Sequence, residues 1–452
     1  MVVIGGGFGG LRTAKRLARA PVRVTLVDRR NHHLFQPLLY QVATAALTPA
    51  DIAYPIRGVF ARQPNVRVLL AEAESIDVDK RMVKLDDGEL HYDFLVVATG
   101  AMHSYFGKEA QWSSIAPGLK SVEDALEIRR RIFLAYEAAE REIDPVEQSE
   151  WLTFAVVGGG PTGVELAGAL GEIGLHTLAR DFRSIDPTEV RVLLFEGQDR
   201  VLMTYPEKLS EAAKHSLEKR HVQVRVNTLV TDMDDRCVTV KGPNGVERIG
   251  TRTVLWAAGV QASPLARSLG VPLDRTGRVL VEPDLSIPGH PEVFVIGDLA
   301  KVMSDGVEVP GVAQGALQGG SHVARIIEGT VRGNPARPPF RYHDKGNMAT
   351  IGRAEAVIAT KHFARHGLLA WMLWWVVHIF FLVGFRNRVY MMFHWAWSWL
   401  TYRRGSRLIT GEVGPLPPVK SIAADGTVAL PPAAENIMIT ASEPERPASR
   451  TP

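Results

Sequence analysis

The 452-residue sequence predicts an α/β fold of two like units, followed by an apolar helical hairpin near the C-terminal end. Three observations carry this. An apolar strand running into a glycine turn and a helix occurs at MVVIGGGFGG, residues 1–10, and again at VVGGGPTGVELAG, residues 156–168. Each copy is followed by a strand ending in a carboxylate, RVTLVD at Asp28 and VRVLLFE at Glu196, so each reads as a β-α-β unit. Beyond Arg341 the grammar changes to two aromatic-rich apolar runs, residues 367–385 and 389–400.

In order along the chain, the first unit has a strand at 2–4, a turn at 5–10, a helix at 11–20 and a strand at 23–28. A proline-punctuated stretch, 31–60, contains FQPLLYQVA. Strands are expected near 66–71 and 81–85, then DFLVVATG at 93–100 ends in a small-residue turn. Residues 121–142 read as a helix with Ser121 as N-cap and Asp124 behind it. The second unit repeats the pattern: a strand from Phe154, a helix at 164–178, a strand to Glu196, a helix at 206–220 and a strand in HVQVRVNTLV. TVLWAAG, 253–259, mirrors LVVATG; RVLVEPDL leads to EVFVIGDLA, and 311–331 reads as a helix behind that strand. The strand-glycine-helix-strand unit is the one internal repeat.

Each glycine turn divides its work. The first glycine makes the tight turn, the second lets backbone approach a pyrophosphate, and the third lets helix and strand pack closely. These are Gly5, Gly7 and Gly10 in one copy and Gly158, Gly160 and Gly163 in the other. The helix N-terminus offers unpaired N–H groups and the positive end of its dipole to the anion. Asp28 and Glu196 stand where a carboxylate accepts hydrogen bonds from a ribose and repels a 2′-phosphate, which favours NADH over NADPH; Arg200 lies near enough to blur that preference. The second spacing is lengthened by DFRSIDPTE. The fold class is therefore α/β, with two Rossmann-like dinucleotide-binding domains and a C-terminal helical hairpin.

Composition excludes several chemistries. Hydrophobic content of 46% and charged content of 22% belong to a folded chain long enough for more than one domain. A single cysteine, Cys237, rules out a disulfide framework, a redox-active cysteine pair and a structural zinc site; in DDRCVTV it reads as a strand residue. His362 and His366 are four apart without an evident third ligand, so no metal is expected. Net charge is +3, but residues 341–412 hold ten Lys or Arg against three Asp or Glu, which leaves the remainder slightly acidic. No nucleic-acid partner is expected. With the first strand starting at Met1, no leader is expected ahead of it; the brevity of that strand leaves a truncated start or an upstream initiator open.

The two-unit layout resembles the flavoproteins with two dinucleotide-binding domains, and FQPLLYQVA together with AQGALQGG, 313–320, resembles the type II NADH:quinone oxidoreductases over roughly residues 1–410. The resemblance implies non-covalent FAD on the first unit, at Gly5, Gly7, Phe8, Gly9, Gly10, Asp28, Arg29, Gln36, Pro37, Leu38, Thr99, Gly100, Gly297, Asp298, Ala313 and Gln314. It implies NADH on the second, at Gly158, Gly160, Pro161, Thr162, Gly163, Glu165, Glu196, Ala258 and Gly259. Glu165 would contact the nicotinamide near the flavin edge; the competing reading is a carboxylate complementing a helix dipole. Gln314 and Gln318 share a helix face and could hold the carbonyls of a quinone without carrying charge; surface polarity or capping competes. Lys361 is a further candidate near the quinone, and a solvated lysine competes. The implied catalytic set is Glu165, Gln314 and Gln318.

The domains expected are 1–115 and 269–340 for FAD, 116–268 for NADH, 341–412 for membrane anchoring and 413–452 as a disordered tail. The run at 367–385 is near the ~20 residues that span a bilayer, but the second run is too short to return. Six tryptophans flanked by Arg386, Arg388, Arg403, Arg404 and Arg407 suit a hairpin lying in one leaflet, on the cytoplasmic face of the cell membrane. A spanning helix and a buried dimer interface compete. The expected function is non-proton-pumping electron transfer from NADH through FAD to a membrane quinone, menaquinone or ubiquinone, by a homodimer. The alternatives are a soluble-acceptor NAD(P)H flavoprotein reductase and a non-catalytic NADH-binding redox sensor.

Overall fold

The computed structural model describes residues 1–179, 181–382, 392–393, 406–411, 416, 421–422 and 428–429. The second apolar run, 389–400, lies outside them apart from Met392 and Phe393, as does most of the stretch after 412.

In chain order, the first unit contains β1 (Val2–Ile4), α1 (Phe8–Arg16), β2 (Val24–Asp28), α2 (Leu39–Ala43), β3 (Val66–Leu70) and β4 (Leu95–Val97). A long helix α3 (Val122–Arg141) leads to β5 (Thr153–Val157), α4 (Pro161–Glu172), β6 (Arg191–Phe195), β7 (Val222–Arg225) and β8 (Thr253–Trp256). The chain then returns through β9 (Ser286–Ile287), β10 (His290–Val295) and α5 (Ala313–Val331). Last come β11 (Asn347–Gly352), β12 (Glu355–Ala359), β13 (Ala364–His366) and α6 (Leu368–Phe381).

The first sheet runs β9-β10-β4-β1-β2-β3, parallel except for its β9 edge. The second runs β7-β6-β5-β8, all parallel. β1, β4, β5 and β8 are buried at every position, as strands covered on both faces must be. The second unit is inserted between β4 and β10, and its two connections lie side by side: Ala101–His103 pairs antiparallel with Val260–Ala262.

The helices begin earlier than their apolar pattern suggests, at Phe8 and Pro161 rather than near 11 and 164. The last glycines of each turn, Gly9 and Gly10 in one and Gly163 in the other, already carry helical backbone, because the N–H groups that face an anion are those of the helix's own first turn. α4 ends at Glu172, and Ile173–Thr177 continues as a wider π turn. α3 has the expected N-cap: Ser121 Oγ accepts from Asp124 N at 3.1 Å, and Asp124 Oδ2 accepts from Ser121 N at 2.9 Å. HVQVRVNTLV splits into β7 and Leu229–Met233, which joins a separate antiparallel sheet, with Asn227 at φ +51° between them. Cys237 opens a strand of that sheet. Ser421–Ile422 and Val428–Ala429 form a strand pair within the stretch expected to be disordered.

α6 is docked rather than free. Ala370, Trp374 and Ile379 are buried in one core with Phe35, Leu38 and Tyr40, with Val164 of α4 and with Val357 of β12. The one histidine in this helix, His378, stacks on Trp374 at 4.2 Å, meets Phe35 edge-on at 6.2 Å and donates from Nδ1 to Trp374 O at 2.6 Å. Burial pushes it down to about 4, so it stays neutral inside an apolar helix.

Among the closest approaches in the described residues are those at the third glycines. A Cβ on Gly10 would lie 1.9 Å from Gly5 O, and one on Gly163 would lie 1.8 Å from Gly158 O. Gly163→Ala should therefore cost at least about 1–3 kcal/mol through overpacking, read as a fall of several degrees in thermal unfolding; an unchanged melting temperature would contradict this packing.

Candidate active site

The two turns are near copies. Gly5 has φ +103° and Gly158 φ +107°, a region open to glycine. Gly7 (φ −72°) and Gly160 (φ −71°) are the N-caps of α1 and α4, and a Cβ on either would meet nothing within 4 Å. Neither helix has a capping side chain or an acidic residue in its first turn. Each turn thus leaves a clear space in front of unclaimed N–H groups, which is what a pyrophosphate requires.

The acids also correspond. Asp28 accepts from Gly6 N at 2.5 Å and from Arg30 N at 2.7 Å. Glu196 accepts from Gly159 N at 2.6 Å and from Gln198 N at 2.8 Å. Each carboxylate therefore fixes Gly6 or Gly159, between the first and second glycines of its turn, and retains acceptor capacity toward a ribose.

Around the first turn, the structure tests the fit to FAD. Thr99 Oγ1 is sealed from solvent without a partner, an orphan that an incoming polar group would satisfy. Gly100 (φ +69°) has open space, and Gly297 (φ +72°) is packed toward Ala316 of α5, with Asp298 following it. Phe8 meets His33 edge-on at 5.1 Å and Phe35 at 5.9 Å; Gln36–Leu38 continues from Phe35 as a tight helical turn into α2. His33 donates from Nδ1 to Gly6 O at 3.0 Å and is pushed down to about 4 by burial, so it braces the turn as a neutral ring. Arg29 turns outward to Glu72 at 3.6 Å. Lys120, unmarked in the sequence, is lowered by burial and drawn back up by Asp298 and Asp124, so it faces the same end of the site. These residues fit FAD, which when bound supplies two-electron redox chemistry.

Around the second turn, Pro161 and Thr162 open α4, Gly163 closes against the strand, and Gly259 (φ +73°) follows Ala258 at the end of β8. Glu165 is the fifth residue of α4, beyond the first turn, and it faces β11: Thr350 N donates to Glu165 Oε1 at 3.3 Å. Burial pushes Glu165 up to about 8, and that N–H bond pulls only partly against it. Thr350 Oγ1 bonds Tyr40 Oη at 2.8 Å, and Gln41 Nε2 donates to the same Tyr40 oxygen at 2.9 Å. Burial raises Tyr40 and Tyr205, and the charge of Glu165 adds to both shifts. FQPLLYQ is thereby tied to the Glu165 end of α4 through β11. Tyr40 lies within a motif already visible in the sequence; Thr350 and Tyr205 carry no such signal.

Gln314 and Gln318 project from one face of α5, and the backbone uses both ends of each amide. Gln314 donates to Gly346 O at 2.9 Å and accepts from Lys345 N at 3.1 Å; Gln318 donates to His343 O and accepts from His343 N, both at 2.9 Å. The pair clasps the segment 343–346 that leads into β11. A Cβ on Gly346 would meet Thr360 Cγ2 at 2.7 Å, so exposed Lys361, in the β12–β13 turn, stands beside this clasp. His362 lies in that turn and His366 in β13, both exposed. Among the described residues, no group of three His, Cys, Asp or Glu could hold a metal.

Two cradles of this kind on inserted parallel sheets define a flavin- and pyridine-nucleotide-dependent oxidoreductase, and the family model for pyridine nucleotide-disulphide oxidoreductases matches residues 1–320. A model for the NDH2 C-terminal domain matches residues 344–404. The chain is 46% identical over 423 residues to the type II NADH:quinone oxidoreductase Ndh of Mycobacterium tuberculosis, covering 91% of this chain and 90% of the relative. It is 31% identical over 366 residues to the type II NADH:quinone oxidoreductase of Staphylococcus haemolyticus, covering 79% and 88%. It shares its fold with NDH2 from Plasmodium falciparum in complex with NADH, at a TM-score of 0.81 and 19% identity, covering 91% of this chain and 99% of that one. The chain belongs to the type II NADH:quinone oxidoreductase family.

Glu165 carries a pH signature. Its folded pKa lies above the ordinary carboxylate value, so the native chain holds a proton that the unfolded chain releases. The associated stability is fully present below the ordinary value, near 4.5, and is lost as pH rises through about 8. Melting temperatures of the wild type should fall between pH 5 and pH 9 relative to Glu165→Gln, and parallel curves would contradict the assignment.

Proposed function

We propose that this chain oxidises NADH and reduces a membrane quinone, menaquinone or ubiquinone, without pumping protons. The observation that carries the reading is the duplicated cradle: two matched anion-binding turns, each with its own carboxylate, on two sheets joined by adjacent connections. Such a pair holds two dinucleotides in fixed relation, and alignment is the larger part of what a protein adds to hydride transfer. The first unit, 1–115 with 269–340, takes FAD; the inserted unit, 116–268, takes NADH. Glu165, buried and protonated near neutral pH, stands by the nicotinamide and keeps charge away from it. With a single cysteine in the chain, the electrons leave to an acceptor other than a cysteine pair.

That acceptor is a lipid-dwelling quinone entering by the Gln314–Gln318 clasp, with Lys361 at its mouth. α6 supports this route. Leu368, Leu369, Met372, Leu373, Val376 and Phe380 are exposed, from 36% at Leu373 to 66% at Phe380, and form an apolar face opposite Trp374. The helix has 14 residues, about 21 Å, and no helix among the described residues is long and apolar enough to cross a membrane. In this reading α6 lies in one leaflet as part of a monotopic anchor; the cytoplasmic face and a homodimer belong to the same proposal and rest on the family resemblance alone.

The test is steady-state kinetics in quinone-loaded vesicles. Glu196→Ser should raise kcat/KM for NADPH relative to NADH by about tenfold or more, a shift of about 1.4 kcal/mol, while quinone reduction persists. Unchanged coenzyme preference would remove the ribose role of Glu196, and no NADH-dependent quinone reduction by the wild type would remove the function.

A further inference from the structure

The connection from the first unit to the second holds a bulky residue in a costly conformation. Phe106 has φ +54° and is followed by Gly107 at φ +89°, a left-handed turn that a large side chain rarely adopts. Tyr105, one residue earlier, is buried and stacks on Trp256 at 5.0 Å. The turn leaves the Phe106 ring outside, edge-on to Trp256 at 6.1 Å and 70% exposed. Ser104 Oγ accepts from Phe106 N at 3.3 Å and helps to hold the turn. A Cβ on Gly259 would lie 2.7 Å from Phe106 Cζ, so the ring rests on the backbone just beyond β8.

That backbone borders the dinucleotide crevice. A Cβ on Gly158 would lie 2.8 Å from Ala257 C and from Ala258 N, so the residues after β8 abut the anion-binding turn. In the sheet order β7-β6-β5-β8, the chain passes from β5 to β6 and β7, then returns to the other side of β5. The gap between β5 and β8 is therefore the switch point, where an open parallel sheet takes its ligand beyond the strand ends. Glu196, following β6, marks the ribose of the adenosine half. With the pyrophosphate before Gly160, the nicotinamide half extends to the β8 side, where the connections 101–103 and 260–262 pair.

Resting on the NADH reading above, we propose that Phe106 is the wall of the coenzyme crevice on its nicotinamide side, packing its exposed ring against the nicotinamide nucleoside. A ring left in water gains nothing from the strain that holds it there. Covered by a flat heteroaromatic ring or its ribose, it removes apolar surface of both partners from water. A phenyl face also attracts the positively charged ring of NAD+. Because the ring is carried by the connection between the units, it stands where the two dinucleotides must meet. It acts on binding and orientation and takes no part in bond making.

The experiment is calorimetric titration of the full-length holoprotein with NAD+ and with AMP, which shares only the adenosine half. F106A, with bound flavin confirming its fold, should weaken NAD+ binding on the order of tenfold and leave AMP binding as in the wild type. In steady-state turnover its kcat/KM for NADH should fall by a similar factor, through KM. F106Y, which keeps the aromatic face, should recover most of both losses. Unchanged NAD+ binding by F106A, or an equal loss for NAD+ and AMP, overturns the wall while leaving the NADH reading standing. A wild type that binds neither nucleotide overturns the NADH reading and the wall together.

Discussion

The structure depends on the contact between the third and first glycines of each turn. With no side chain at Gly10 or Gly163, helix backbone comes to rest on the carbonyl of Gly5 or Gly158. That approach aims α1 and α4 so that their first N–H groups converge in front of Gly7 and Gly160. Asp28 and Glu196 then lock the middle of each turn. The same construction in both units is what gives the chain two anion sites of one design, and the paired connections between β4 and the inserted unit hold them in one molecule.

A second constraint is the role of FQPLLYQVA as a junction. Phe35 touches Phe8 at the phosphate turn and His378 in the apolar helix, while Tyr40 reaches Thr350 and, through it, Glu165. One short segment thereby joins the Gly5–Gly10 turn, the Glu165 region of α4, β11 and α6. α6 is thus part of the core that holds FQPLLYQVA and α4, and His378 can sit within it because its Nδ1–H is satisfied by its own helix backbone.

Much of this was legible in the sequence because it rests on local rules. Glycine turns, the apolar strands behind them, the terminal carboxylates and the Ser121–Asp124 capping box all follow from short-range geometry. The early helix starts were missed because turn glycines carry no apolar period. The break at Asn227 was hidden because two strands that join different sheets read as one continuous run. Interactions between residues far apart in the chain were not visible: Thr350 with Glu165, the charge of Asp298 with Lys120, and, over shorter separations, the engagement of both glutamine amides with the 343–346 backbone. The glutamines show how a polar helix face can be recognised from spacing while its partners cannot.

The central claim is that the two cradles deliver hydride from NADH to a flavin held by the same chain. The most direct measurement is anaerobic rapid mixing of the purified holoprotein with NADH, followed by flavin absorbance with no quinone present. The account predicts that the yellow colour bleaches in a single turnover and returns when quinone is added. A flavin that stays oxidised under saturating NADH would contradict it.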